Sequence, residues 1–212
     1  MKNRTGWTLR PNDIEADDEA AEVVMRDNPL TVETSDNHVY FYAPVNSDRC
    51  LALIREIRSL DRMLRLEHVS RDLPESFPKT PIWLHVHSGG GDVFSGLGAA
   101  DQLAQIETPV YSIVEGYCAS AATLIAMACD RRYVMPSAFM LIHQIWSLAW
   151  GTYEELKDEV HMQGMVMKRL TDFYTDRSTM GADEIAELLK RDSWFSADEC
   201  LERGMVDEIY GR

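Results

Sequence analysis

The chain has 212 residues, 45% of them hydrophobic and 26% charged, so a single sizeable domain with a real core is the default expectation. A formal net charge of -14 disfavours nucleic acid and anionic membrane surfaces as partners, because either would be repelled where it needs basic stripes. No apolar run reaches membrane-spanning length and the polar N-terminus lacks a signal-peptide core, so the expected location is the cytoplasm.

Residues 1–37 carry the acidic cluster Asp13-Ile14-Glu15-Ala16-Asp17-Asp18-Glu19 and little apolar periodicity. They are expected to form an acidic arm, mobile or ordered only by its neighbours, ahead of a domain over 38–212. His38 to Ala43 predicts a strand, and Asp48 to Leu66 a helix with Leu51, Ile54, Ile57, Leu60, Met63 and Leu64 on one face. Glu67 to Thr80, with Pro74 and Pro78, predicts a connecting loop.

Ile82 to His87 then reads as a strand that enters Ser88-Gly89-Gly90-Gly91 and continues into a helical pattern from Gly98 to Ile106. Backbone N–H groups left uncovered at such a turn can hold an oxyanion. A phosphate loop would need Lys-Ser/Thr at a fixed offset, and none follows. His85 and His87 share one strand face, but no acidic or Cys ligand stands at a diagnostic spacing, so no metal is expected.

Val110 to Val114 reads as a strand and Thr123 to Ala128 as a buried helix. Ser120, in Gly116-Tyr117-Cys118-Ala119-Ser120-Ala121, caps or opens that helix, where unpaired N–H groups and the positive dipole end favour charge on a nearby oxygen. A plain N-cap is the competing reading of this Ser. His143 emerges at the end of the apolar strand Ala138 to Ile142. Asp192 sits in a loop between the amphipathic stretch Ala182 to Lys190 and the next helix, able to aim a carboxylate at the imidazole. Nucleophile, base and orienting acid thus run in the order Ser, His, Asp, unlike the familiar hydrolase arrangements. The four cysteines, Cys50, Cys118, Cys129 and Cys200, show no paired spacing, which predicts buried thiols in a reducing compartment. Cys118, two residues before the Ser, reads as small-residue packing rather than a nucleophile.

Beyond His143 come the apolar stretch Ile145 to Gly151 and a long helical pattern from Thr152 to Tyr174 with Leu156, Val160, Met162, Met165, Val166, Leu170 and Phe173. An extended helix after an exposed apolar segment needs a partner, which favours self-association over a simple core. Strand-helix alternation along the whole domain argues α/β.

At Ser88-Gly89-Gly90-Gly91, Gly116 to Ala121, Met140-Leu141-Ile142-His143-Gln144, Arg191 to Ala197 and Gly204-Met205-Val206-Asp207, the chain resembles the ClpP-type serine proteases. The resemblance covers roughly Val39 to the C-terminus. It implies a ClpP/crotonase-like α/β fold of stacked βαβ units, with a protruding handle helix at about 145–175 and a heptameric ring or double ring. It also implies a polypeptide substrate, no cofactor, and a possible AAA+ ATPase partner. Ser120 would be the nucleophile, His143 the general base and Asp192 its orienting acid. The backbone N–H groups of Gly91 and Ala121 would form the oxyanion hole. Gly89 and Ile145 stand where the family usually has Pro. The short Cys129-Asp130-Arg131-Arg132-Tyr133 stretch looks more like ClpP-related proteases of phages and prophages. Rival readings are a phage-type capsid-maturation protease, a crotonase-type acyl-CoA enzyme, and a non-catalytic ring subunit with a degraded triad.

Overall fold

The structure is a computed structural model that describes residues 32–74 and 77–212. A parallel sheet forms its centre, where three successive parallel strand pairs are joined through helices. In chain order the elements are β1 (Val32–Ser35), β2 (His38–Phe41), α1 (Ser47–Ser70), β3 (Ile82–Ser88), α2 (Val93–Leu103), β4 (Val110–Ala119) and α3 (Ala121–Met127). There follow β5 (Arg131–Val134), β6 (Phe139–Ile142), α4 (Tyr153–Asp176), α5 (Ala182–Leu188), β7 (Ser193–Ser196), α6 (Ala197–Glu202) and β8 (Glu208–Ile209). The main sheet runs β1-β2-β3-β4-β5-β8, parallel from β2 onward, and β6 and β7 form a branch from the far half of β4. This is the α/β alternation expected from the sequence.

Period-2 patterning splits the sheet into two unlike faces. Val39, Phe41, Ile82, Leu84 and Val86 are buried in the core together with Leu53, Ile57, Leu124 and Ile125 of the helices. The opposite side carries His38, Tyr40, Trp83, His85 and His87, and rings stack across neighbouring strands, Tyr40 on His85 at 4.4 Å between centroids. His85 and His87 spend their nitrogens on protein partners. His85 Nε2 lies 2.9 Å from His38 Nδ1 and its Nδ1 lies 2.8 Å from Glu115 Oε1, while His87 Nδ1 meets the Glu115 carbonyl at 2.8 Å. Burial, then the neighbouring His85, lowers the His38 pKa below the usual histidine value.

Several boundaries depart from the sequence reading. Val32–Ser35, assigned to the acidic arm, pairs antiparallel with β2 through a turn at Asp36 and Asn37, and residues 1–31 of that arm lie outside the described residues. α1 starts one residue early, where the Asn46 side chain accepts from the Arg49 N–H at 2.9 Å, and runs to Ser70 into the expected loop. Its buried face is Cys50, Leu53, Ile54, Ile57 and Leu60, while Leu51 and Met63 are exposed. The stripe is rotated because 50, 53, 54, 57 and 60 follow the helical period, which position 51 breaks. α2 begins at Val93, since Asp92 caps it by accepting from the Ser95 N–H at 2.7 Å. β4 continues past Val114 to Ala119. Gly116, at φ 66, bends it there, and a Cβ at that position would sit 2.7 Å from His87 Nδ1. The first half of β4 pairs with β5 and the second with β6, which is how the branch arises.

Candidate active site

Three strand ends converge on one point. Ser120 follows β4, His143 follows β6, and Asp192 precedes β7. β4 and β6 are parallel with Ala119 beside Leu141, and the Ser120 N–H donates to the Leu141 carbonyl at 2.8 Å. β6 and β7 are antiparallel with Phe139 opposite Ser196 and Ile142 opposite Ser193. One step further along that register faces His143 with Asp192. Strand pairing alone therefore assembles the three residues from positions up to 72 apart in the chain.

The side chains complete the alignment. His143 Nε2 lies 2.7 Å from Ser120 Oγ, within hydrogen-bond reach, and His143 Nδ1 lies 3.5 Å from Asp192 Oδ1. The carboxylate is thus an ion-pair neighbour at the edge of hydrogen-bond distance, with its side chain 72% exposed. Ser120 does not cap α3. Its hydroxyl makes no cap hydrogen bond, and its backbone stands at φ 55, ψ -129, a strained conformation for a residue with a Cβ. In this conformation Oγ makes no bond to the helix and lies against the imidazole.

The glycine turn between β3 and α2 lies against this Ser. A Cβ on Gly90 would sit 2.5 Å from the Ala119 carbonyl oxygen and 2.7 Å from Ser120 Cβ, so only a glycine fits. The run of three glycines marks this turn in the sequence, whereas the close approach of Gly90 to Ser120 comes from the fold. Val45 fixes the turn from outside, donating to the Gly90 carbonyl and accepting from the Asp92 N–H, both at 2.8 Å. The Gly91 N–H between them has no acceptor among the described residues. The Ala121 N–H, first in α3, has no intrahelical acceptor either.

Behind the Ser, Thr123 Oγ1 donates to the Ser120 carbonyl at 2.6 Å and lies 2.7 Å from the hydroxyl of buried Tyr174 near the end of α4. The long helix is thereby tied to the Ser120 turn. Cys118 is fully buried, and burial pushes its thiol far above the usual range, which keeps it inert beside Ser120. Burial likewise raises Cys50 to about 11 and Cys129 and Cys200 to about 12. All four cysteines are unpaired and buried.

The Clp protease family model matches residues 36–212, the whole of this arrangement. The chain belongs to the Clp protease family. It is 35% identical over 142 residues to the ATP-dependent Clp protease proteolytic subunit 2 of Treponema denticola, covering 65% of this chain and 70% of that one. Identity to the subunit of the same name in Cutibacterium acnes is 31% over 135 residues, 63% of this chain and 64% of the relative. With the ATP-dependent Clp protease proteolytic subunit of Lactococcus lactis subsp. cremoris it is 36% over 132 residues, 60% and 66% respectively. The matched stretch is thus just under two thirds of the length of the last two. Clp protease membership makes the chain a serine-type peptidase with the ClpP fold. No described helix is long and apolar enough to cross a membrane.

Proposed function

We propose that the chain hydrolyses peptide bonds with Ser120 as nucleophile, His143 as general base and Asp192 as the acid that orients it. The observation that carries this reading is the 2.7 Å contact between His143 Nε2 and Ser120 Oγ, with Asp192 on the other ring nitrogen. Ser120 Oγ attacks the peptide carbonyl while its proton passes to His143 Nε2. Asp192 holds the Nδ1–H tautomer and stabilises the imidazolium. The free N–H groups of Gly91 and Ala121 receive the oxyanion. Collapse of the tetrahedral intermediate expels the amine, which takes the proton from His143. Water, deprotonated by the same imidazole, then releases the acyl group from Ser120. Side chains, backbone and water supply every step. A crotonase-type acyl-CoA reaction would need the paired amides but not the Ser-His contact, and a non-catalytic subunit would need neither.

The setting we infer is a homo-oligomer, a heptameric ring or a double ring whose rings dock through the handle, with a polypeptide substrate fed by an AAA+ unfoldase in the cytoplasm. Support for assembly comes from the exposed apolar residues of the handle, support for a reducing compartment from four unpaired cysteines, and support for an ATPase from the relatives' names. A fluorophosphonate probe tests the chemistry. It should label the full-length protein at Ser120 and fail on Ser120→Ala, whereas an unlabelled Ser120 in the assembled protein would overturn the reading.

A further inference from the structure

The cleft beside the triad has an unusual combination of walls and charge. Its apolar walls come from Val93, Phe94, Ile145, Trp146, Met162 and Val166, and it opens onto Gly91, Ser120 and His143. Two carboxylates line it, Asp92 and Glu159, and no Lys or Arg does. Asp92 is committed to capping α2. Glu159 is different. Its Oε1 accepts from Ser147 Oγ at 3.1 Å and from Gln163 Nε2 at 2.9 Å, both neutral donors, while its Oε2 has no partner among the described residues. The carboxylate is therefore held in place without being neutralised.

Glu159, Met162, Gln163 and Val166 lie at the i, i+3, i+4 and i+7 positions of α4, one stripe facing the cleft. The stripe covers about 10 Å along the helix, from buried Val166 to half-buried Glu159. An apolar trough with an unneutralised carboxylate toward its outer end suits a side chain that is apolar along its stem and cationic at its tip. Lys and Arg have that form. Their methylenes would lie on Met162 and Val166 and their charged heads would reach Glu159, a charge-assisted hydrogen bond that neutral partners cannot match. An acidic side chain would meet two like charges instead.

We propose that Glu159 is a specificity-determining residue that makes this cleft accept a basic residue on the acyl side of the scissile bond. The carbonyl attacked by Ser120 sits at the Gly91 end of the cleft, so the side chain of the residue bearing it enters between the walls. The inference rests on the peptidase reading above.

The test uses the assembled full-length protein and matched fluorogenic peptides that differ only in carrying Arg, Leu or Glu at that position. Arg should be preferred to Glu by about a hundredfold in kcat/KM, and Glu159→Gln should lower the Arg-to-Leu ratio about tenfold or more. Glu159→Asp, which keeps the charge, should recover part of the ratio. A ratio unmoved by Glu159→Gln, or equal loss on the Arg and Leu peptides, would overturn the proposal, the latter by assigning Glu159 a structural role through Ser147 and Gln163. Fluorophosphonate labelling run alongside separates the two claims. Labelled Ser120 without basic preference sinks only the specificity inference, whereas unlabelled Ser120 with no cleavage sinks both.

Discussion

The strand-built head and the helical handle are stabilised by opposite means. In the head, long-range pairing between β3, β4, β6 and β7 sits on one continuous buried core and fixes the three site residues by register. In the handle, α4 depends on local devices. Thr152 and Glu155 form a capping box, and Lys168 pairs with Asp172 one turn on. Only its C-terminal half is buried, through Val166, Leu170, Phe173 and Tyr174. The N-terminal half and the preceding segment leave Trp146 84% and Trp150 83% exposed, beside exposed Leu148, Val160 and Met165. A patch of this kind is what an interface leaves uncovered. On the proposed reading, the Ser-His-Asp geometry comes from strand register in the head, while the handle would complete an oligomer interface and pass its state on through the Tyr174-Thr123-Ser120 contacts.

The largest effect should come from disturbing the head. Asp192→Asn would favour the wrong imidazole tautomer and should lower kcat by at least about a hundredfold with little change in KM. Steady-state kinetics on a small peptide substrate checks this, and an unchanged kcat would remove Asp192 from the triad. The loose 3.5 Å contact adds a refinement: handle docking should shorten it, so the penalty should be larger in the assembled protein than in dissociated subunits.

Charging the handle should act through assembly. Met165→Lys places an ammonium in the exposed apolar stripe and should weaken subunit contacts, lowering oligomer mass and activity together in light scattering and peptidase assays across a dilution series. A fully active monomer at the lowest concentrations would break the proposed coupling between the two regions. The smallest effect belongs to the link itself. Tyr174→Phe deletes one buried hydroxyl facing Thr123 and should cost about 1 kcal/mol of stability in denaturant unfolding. If the link transmits handle order, kcat should also fall several-fold while KM holds; an equal change in both would make the bond merely structural.

Much of the head was legible in the sequence because its signals are local. Ser120 follows a run of small residues, His143 ends an apolar strand, and the glycine run marks a strand-to-helix turn. What brings Asp192 to His143 was not legible. Ser193-Trp194-Phe195-Ser196 is too short to announce a strand, and its partner β6 lies about fifty residues away, so a register that depends on long-range pairing read as a loop. The strand expected to end at Val114 runs on to Ala119, because Gly116 bends β4 without ending it. The clash that keeps Gly90 free of a side chain also arises between distant segments. In the handle, helical periodicity gave the element but could not separate its buried half from its exposed half, since both carry the same apolar stripe. Glu159 shows this most plainly. In sequence it is one acidic residue in a charged helix, and only the folded cleft gives it an apolar surround.

The most direct test of the central claim is hydrolysis of a small peptide ester by Ser120→Ala in the full-length chain, with oligomeric state measured on the same sample. Because the Ser120 hydroxyl forms no cap on α3, removing it should leave folding and assembly intact. Hydrolysis should fall to background while the oligomer persists; ester turnover at the wild-type rate by an intact oligomer would contradict the account.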